Sequence, residues 1–514
     1  MIHKLAFNKI PLLSEAALDF LYRPEKIREF ITNTPTSENF SKAINERKEV
    51  NRKILVEELQ KQNLNSHPNS KKNIELLAHK NTFTVTTGHQ ICLFTGPLYS
   101  IYKIVSTINL AKKLTEENSN IHVIPVFWMA TEDHDFEEIN HVNLRGKKVT
   151  WNTNQKGPVG RFNTEDITTF LEKITAEIGS DLAKEIAAFY TSSKNLAEAH
   201  NKLINHLFGE YGIVVLDADS KNLKNEMAEI FASELLKNNT FEAIEVTSEK
   251  LVKQGYKKQV TPREINLFYQ EKGLRERIVL EGETYSVLNT SLTFSKEKIL
   301  EELKNNPEKF SPNVVMRPMY QEKILPNLAY IGGPGELAYW LQLKTAFEIN
   351  GVPFPILVLR NMGLLIKENI SRKIEKLPFA LKDYFENEHE LEKQYINKMS
   401  EISFEDEIQK IEQIFEITKE KASQVDFSLE RSVIAELKKA QNSFNKIEKK
   451  VTRAEKKNHQ IALNQIKSIK NSFFPEGTFQ ERQSNILEFY NEGIIKNFMD
   501  NLKSLEDNLT LIDI

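Results

Sequence analysis

Thr82-Phe-Thr-Val-Thr-Thr-Gly-His-Gln90 and Val123-Ile-Pro-Val-Phe-Trp-Met-Ala-Thr-Glu-Asp-His-Asp-Phe-Glu-Glu138 are the stretches on which the reading of the fold turns. Phe83 to Thr87 is a short β-branched run stopped by Gly88, and Leu98 to Leu114 spaces Ile101, Val105, Ile108 and Leu110 as one face of a helix. Val123 to Met129 is continuously apolar, as a strand covered on both faces is. Strand, polar loop, helix and strand make a βαβ unit. Open parallel sheets bind ligands beyond the carboxyl ends of their strands, which is where Gly88-His89-Gln90 and Glu132-Asp133-His134-Asp135 fall.

Working outward, the 514 residues exceed one ordinary core, so two or three domains are expected. The 69 Lys and Arg against 72 Asp and Glu leave a formal net charge of -3, which gives no bulk attraction to nucleic acid or to an anionic membrane. No stretch approaches the roughly 20 apolar residues of a spanning helix, and Lys4, Lys9, Glu15 and Asp19 interrupt the apolar positions near the start, so a cytoplasmic protein is expected. Cys92 is the only cysteine, which excludes an intrachain disulfide and a cysteine zinc cluster.

Residues 1–80 read as a helical segment packing on the core. Residues 81–376 read as the core: a strand over Lys147 to Trp151, two helices over Thr164 to His206, a strand over Gly212 to Leu216 ending in Asp217-Ala-Asp219, and one helix from Ser220 through Leu236. An antiparallel insertion is expected at about 242–305, from the short strands around Ile265 to Tyr269 and Arg277 to Val287. Strand character resumes at Asn313 to Met316, Leu328 to Ile331 and Phe354 to Leu359. Residues 377–474 are helical and charged, with apolar seams at Ile408, Ile411, Phe415, Thr418, Ala422 and Val425, and at Val433, Leu437, Ala440, Phe444, Ile447, Val451 and Ala454. The next seam position is polar Asn458, after which the phase slips by one residue; a single helix over Ser428 to Ser472 would be on the order of 65 Å long. Its seam pairs either with its own preceding helix or with a second subunit. Residues 475–514 read as a helical tail folding back on the core.

The candidate site residues follow from these loops. Gly88, His89 and Gln90 ahead of a helix can hold an anion, with His89 as a donor to a phosphate or a leaving oxygen. Asp133, His134 and Asp135 with their neighbours can bind a divalent cation, orient an amine or act as base; Asp133 and Asp135 are the possible metal ligands. Zinc through His134 and His141 lacks a fixed ligand spacing. Gly332-Gly333-Pro-Gly335-Glu336 allows close backbone approach, and Arg317 beside Pro318 suits a carboxylate or phosphate. Lys103 reads as a surface residue and Cys92 as a buried thiol rather than a nucleophile.

Thr87-Gly-His-Gln-Ile-Cys-Leu-Phe-Thr-Gly-Pro-Leu-Tyr99, Pro125-Val-Phe-Trp128 with the acidic loop, Ser311-Pro-Asn-Val-Val-Met-Arg-Pro318, Ala329-Tyr-Ile-Gly-Gly-Pro-Gly-Glu336 and Pro475-Glu-Gly-Thr-Phe-Gln-Glu-Arg482 together resemble the bacillithiol biosynthesis family of cysteine-adding ligases. The resemblance runs over nearly the whole chain. It implies an α/β fold, with a Rossmann-like parallel sheet core like that of class I nucleotidyltransferases, connective insertions and a C-terminal α-helical coiled coil used for homodimerisation. It also implies the joining of cysteine, through its carboxyl group, to the amino group of glucosaminyl-malate. Because amide formation in water is uphill, ATP (or ADP) is expected at the loop of Gly88 to Gln90, with magnesium or the substrate ammonium groups at Asp133, His134 and Asp135. Within the same blocks Thr95, Gly96, Tyr99 and Glu137 join the expected substrate- or nucleotide-binding set. Another nucleotide-dependent transferase on this fold, or a coiled-coil scaffold with an inactive nucleotide-binding domain, remain as alternatives.

Overall fold

The computed structural model describes residues 2–47, 49–399, 404–503 and 505–514, without the side chains of 452, 453, 455 and 456. The chain forms two units: one runs to Leu365 and takes in Thr478–Ile512, the other is Ile366–Gly477 with Asp513. The helical unit is therefore inserted, in sequence, ahead of a segment that returns to the first.

The first unit is built on a five-stranded sheet in the order Ile356–Leu359, Asn327–Gly332, Thr82–His89, His122–Met129, Val214–Asp217, with every neighbouring pair parallel. Thr82–His89 lies in the middle and runs in register with His122–Met129, so that Gly88 faces Trp128 and His89 faces Met129. The four threonines of this strand are fully buried, and three of them are hydrogen-bonded, which offsets the cost of burying their hydroxyls. Thr84 and Thr86 donate to Asn327 Oδ1 at 3.0 and 2.8 Å, and Thr87 donates to the Ile331 carbonyl at 2.8 Å. Leu98–Glu117 is the crossover helix, buried on nearly all sides over its first three turns.

A second sheet of five antiparallel strands carries the order Thr293–Phe294, Thr284–Val287, Leu274–Glu281, Leu267–Glu271, Phe310–Pro312. Helix Asn239–Lys253 precedes its strands and helix Lys296–Asn305 separates the last two of them in sequence, so the stretch at 242–305 is only partly antiparallel sheet. Its last strand ends at Pro312, and Asn313 to Met316 is a turn into the helix Arg317–Ile324, not the strand expected there.

Other expectations are corrected. The segment 164–206 holds three helices, Thr168–Ile178, Asp181–Thr191 and Leu196–Phe208, because Gly179 stops the first in a left-handed conformation and Ser180 caps the second. Ser220 to Leu236 is two helices, Lys221–Asn225 and Ala228–Leu236. The start of the chain is not wholly helical: Ile2–Ala6 pairs antiparallel with Asn508–Asp513. The end is not wholly helical either, holding the short helices Gln480–Gln483 and Ile494–Asn501 before that strand.

In the helical unit Glu405–Ser423 and Leu429–Asn458 form a hairpin, with Gln441 Nε2 donating to Glu412 Oε1 across it at 2.8 Å. The seam therefore pairs within the chain. No residue of Glu405–Ser423 is fully buried. The single helix expected over Ser428 to Ser472 is broken at His459, one residue past Asn458, and resumes as Gln460–Phe473. The slip of the apolar phase after Asn458 coincides with that break.

Candidate functional site

At the carboxyl ends of the parallel strands lies a cavity of about 740 Å³. Gly88, His89, Gln90, Tyr99, Asp133, His134, Arg317, Gly333, Gly335 and Glu336 line it. Asp135 and Glu137 do not: both are exposed, and Glu132 and Glu138 take their place in the wall. Gly332 is buried in its strand and Thr95 is buried beneath the loop; neither reaches the cavity. Gly96 faces a smaller adjoining cavity of about 300 Å³. Its φ of +67° suits glycine, and a Cβ there would meet Cys92 Cβ at 2.6 Å.

His89 sits where its strand gives way to the loop, with its ring 5.1 Å from that of Tyr99. Its Nδ1–H donates to the Gln90 carbonyl at 2.8 Å, leaving Nε2 as an acceptor. Burial, helped by Lys103, pushes its pKa down to about 4, so the ring is neutral at pH 7. The donor role expected for His89 thus requires a protonation that its surroundings oppose. Gln90 ties the two loops together, its Nε2 donating to Asp133 Oδ2 at 2.8 Å and Glu138 Oε2 at 2.6 Å.

Asp133 is spent on its own loop. Its Oδ1 accepts from the backbone N–H of His134 at 2.7 Å and of Asp135 at 3.3 Å, and its carbonyl accepts from Val159 N at 2.7 Å. Gly160 N donates to the Thr131 carbonyl at 2.8 Å, and a Cβ on Gly160 would lie 2.5 Å from Thr131 Cβ, so only glycine lets this strap approach. Arg275 donates to His134 Nδ1 at 2.7 Å. Burial and that guanidinium hold the His134 pKa below its ordinary value. Among the described residues no three His, Cys, Asp or Glu side chains are grouped to hold a metal ion.

Lys103 is not a surface residue. It is buried, and its ammonium donates to the Gly88 carbonyl and to both oxygens of Glu336 at 2.8 and 2.9 Å. Burial disfavours the Glu336 charge, but Lys103 and the Tyr330 hydroxyl, 2.6 Å away, hold the carboxyl below its ordinary pKa. The turn at Gly333 and the turn at Gly88 are thereby joined through one ion pair.

The cavity wall holds Arg263, Arg275, Arg277, Arg360 and Arg482 besides Arg317. Arg275 also donates to Ser311 Oγ and the Pro312 carbonyl and lies 4.0 Å over the Phe268 ring. Arg317 donates to Gln321 Oε1 at 3.1 Å and lies near the rings of Trp128 and Tyr330. Arg360 is held by both oxygens of Glu481 at 3.0 and 2.6 Å, and faces the Tyr99 ring. The segment after the helical unit is thus part of the site: Asn485 Nδ2 donates to the Phe94 and Gly96 carbonyls, and Gln480 bonds both the N–H and the carbonyl of Leu365. The sequence signal for the insertion arginines was the alternation Arg275-Glu-Arg277 within a strand, which puts both on one face.

Behind the acidic loop Lys224, fully buried, bridges Glu132 at 2.6 Å and Asp219 at 3.3 Å, and Arg161 grips Asp219 at 2.7 and 2.8 Å. Cys92 is buried, and burial pushes its thiol up to about 12, as befits a thiol that is not a nucleophile.

A parallel sheet with a strand-end cavity that gathers several guanidinium groups around a neutral imidazole defines a Rossmann-like α/β protein. The model of the N-terminal Rossmann-like domain of bacillithiol biosynthesis BshC matches residues 1–361, and that of its C-terminal coiled-coil domain matches 363–514. The chain belongs to the bacillithiol biosynthesis BshC family. It is 43% identical to a Flavobacterium johnsoniae protein named "Putative cysteine ligase BshC", over 99% of each chain. Proteins of the same name from Flavobacterium psychrophilum and Cytophaga hutchinsonii are 42% and 39% identical, over 99% and 95% of this chain and 98% and 94% of theirs.

Proposed function

We propose that this chain is a ligase that joins cysteine, through its carboxyl group, to the amino group of glucosaminyl-malate in the last step of bacillithiol formation. The observation that carries this reading is the strand-end cavity in which the family's glycine and acidic loops meet a neutral His89 and several guanidinium groups. Amide formation from a carboxylate and an amine in water is uphill, so ATP is proposed to activate the acid. Arg482, whose side chain has no partner among the described residues, suits its phosphates. Magnesium enters only as the counter-ion of those phosphates, since Asp133 is engaged by backbone N–H groups of its own loop and Asp135 does not line the cavity. His89 Nε2 is the free acceptor for a proton of the attacking amine.

The test is mass spectrometry of the full chain incubated with cysteine, glucosaminyl-malate, magnesium and ATP. Product with AMP supports an acyl-adenylate, and product with ADP an acyl-phosphate; no amide product overturns the reading. His89 makes a second test. With its pKa near 4, kcat/KM is expected to show no His89 ionisation between pH 5 and 8 and to fall only as pH approaches 4. An acid limb near 6.5 that vanishes in His89→Gln would overturn the lowered pKa, and wild-type kcat/KM in His89→Gln would overturn the role.

We also propose that the helical hairpin pairs with a second copy. Its seam residues are half-buried or, like Val425 and Ile447, exposed, and Ile414, Ile417, Phe427 and Ile434 are exposed beside them. Light scattering at the mass of one chain would refute this.

A further inference from the structure

The arginines of the main cavity divide by what they already hold. Arg275, Arg317 and Arg360 are committed to protein acceptors, Arg360 to a buried carboxylate. Arg263 and Arg277, both from the antiparallel insertion, have no side-chain partner among the described residues, and the Arg277 Nε is buried without an acceptor. A buried guanidinium nitrogen without an acceptor is costly unless a ligand supplies one.

Their placement is defined. Arg277 stands opposite Phe268 in the antiparallel register, and Arg275 stands two residues along the same strand, so both arginines share the face that carries the Phe268 ring. Arg263 is fixed at the backbone: its N–H donates to Asn266 Oδ1 at 2.9 Å, and Asn266 is anchored in turn by Glu234 Oε1 at 2.8 Å. Guanidinium groups bind carboxylates as planar forks, one fork to each carboxylate.

We infer that Arg263 and Arg277 form a dicarboxylate site on the antiparallel insertion. This deepens the proposed function and rests on it for the identity of the ligand, the malate portion of the sugar substrate. Arg317, the arginine expected to orient a carboxylate, is already occupied by Gln321 and lies against two aromatic rings. The insertion therefore selects the acceptor substrate, while the loops at the ends of the parallel strands serve the reacting carboxyl and amino groups.

The experiment is calorimetric titration of the full chain with L-malate and, separately, with ADP. Malate is expected to bind the wild type, to weaken at least tenfold in Arg263→Ala and in Arg277→Ala, and to weaken less in Arg277→Lys, which keeps charge but loses the fork. ADP affinity is expected to stay within twofold. Arg263 is exposed, so its substitution leaves the fold intact and keeps the test valid even if Arg277→Ala is unstable. Unchanged malate affinity in Arg263→Ala, no malate binding by the wild type, or loss of ADP rather than malate would each overturn the site. Malate binding that falls as expected, in a protein that forms no amide, would uphold the site and overturn the reaction.

Discussion

Arg360–Glu481 in the sheet unit and Lys439–Glu436 in the helical unit are ion pairs of nearly equal length, 2.6 and 2.7 Å. Their side chains are 2% and 1% exposed in the first case, 71% and 60% in the second. Distance is the same, yet the surroundings set the worth. Water already solvates the exposed pair, and holding two long side chains together offsets most of the gain. In the buried pair neither partner can be removed without stranding the other in a medium of low dielectric. The sheet unit spends its charges on fixing loops, as with Lys103 under Gly88 and Lys224 behind Glu132. On the hairpin of the helical unit, pairs such as Lys439–Glu436 and Lys419–Glu416 lie at the surface and fix no loop.

This contrast can be broken by substitution. Glu481→Ala is expected to cost about 3–5 kcal/mol in denaturant unfolding of the full chain, the usual penalty for orphaning one partner of a buried pair. A loss below about 1 kcal/mol would put the pair on a par with exposed ones.

A buried imidazole gives the next largest effect. His200 is buried, and burial, with His89 adding to it, pushes its pKa down to about 3. The unfolded chain then binds more protons than the folded one between pH 6.5 and 3, so stability falls as pH falls through that window. His200→Phe is expected to remove this share, roughly 3 kcal/mol at pH 4 from one pKa unit being about 1.4 kcal/mol. Parallel stability–pH curves for the two proteins would rule it out. Smallest of all, Glu436→Ala is expected to change stability by no more than about 0.5 kcal/mol. A larger loss would mean that the hairpin surface is less solvated than its exposure indicates.

The strands of the parallel sheet were legible because a doubly covered strand must be apolar throughout, and Val123 to Met129 is. The loops at their ends were legible because polar residues directly after such a strand have few structural reasons to be there. Lys103 was not: its burial depends on Glu336, 233 residues away, and helical spacing alone cannot reveal that. Asn508–Asp513 is buried over its four middle residues rather than alternating, and its partner Ile2–Ala6 lies at the other end of the chain. The turn at Asn313 to Met316 misled because its apolar side chains are mostly buried by tertiary contact rather than by a sheet. The break at His459 was foreshadowed by the phase slip, whose meaning a one-dimensional seam leaves open.

The bond from Arg360 to Glu481 spans 121 residues of chain, most of which belong to the inserted helical unit. At roughly 5–20 residues per second, a ribosome needs about 6–24 s to deliver the second partner after the first. Through that interval the nascent sheet carries an unneutralised guanidinium at its ligand-binding edge. Maturation of the site is thus timed by the synthesis of the helical arm, and a message cut short within that arm yields a chain that cannot finish its own binding edge.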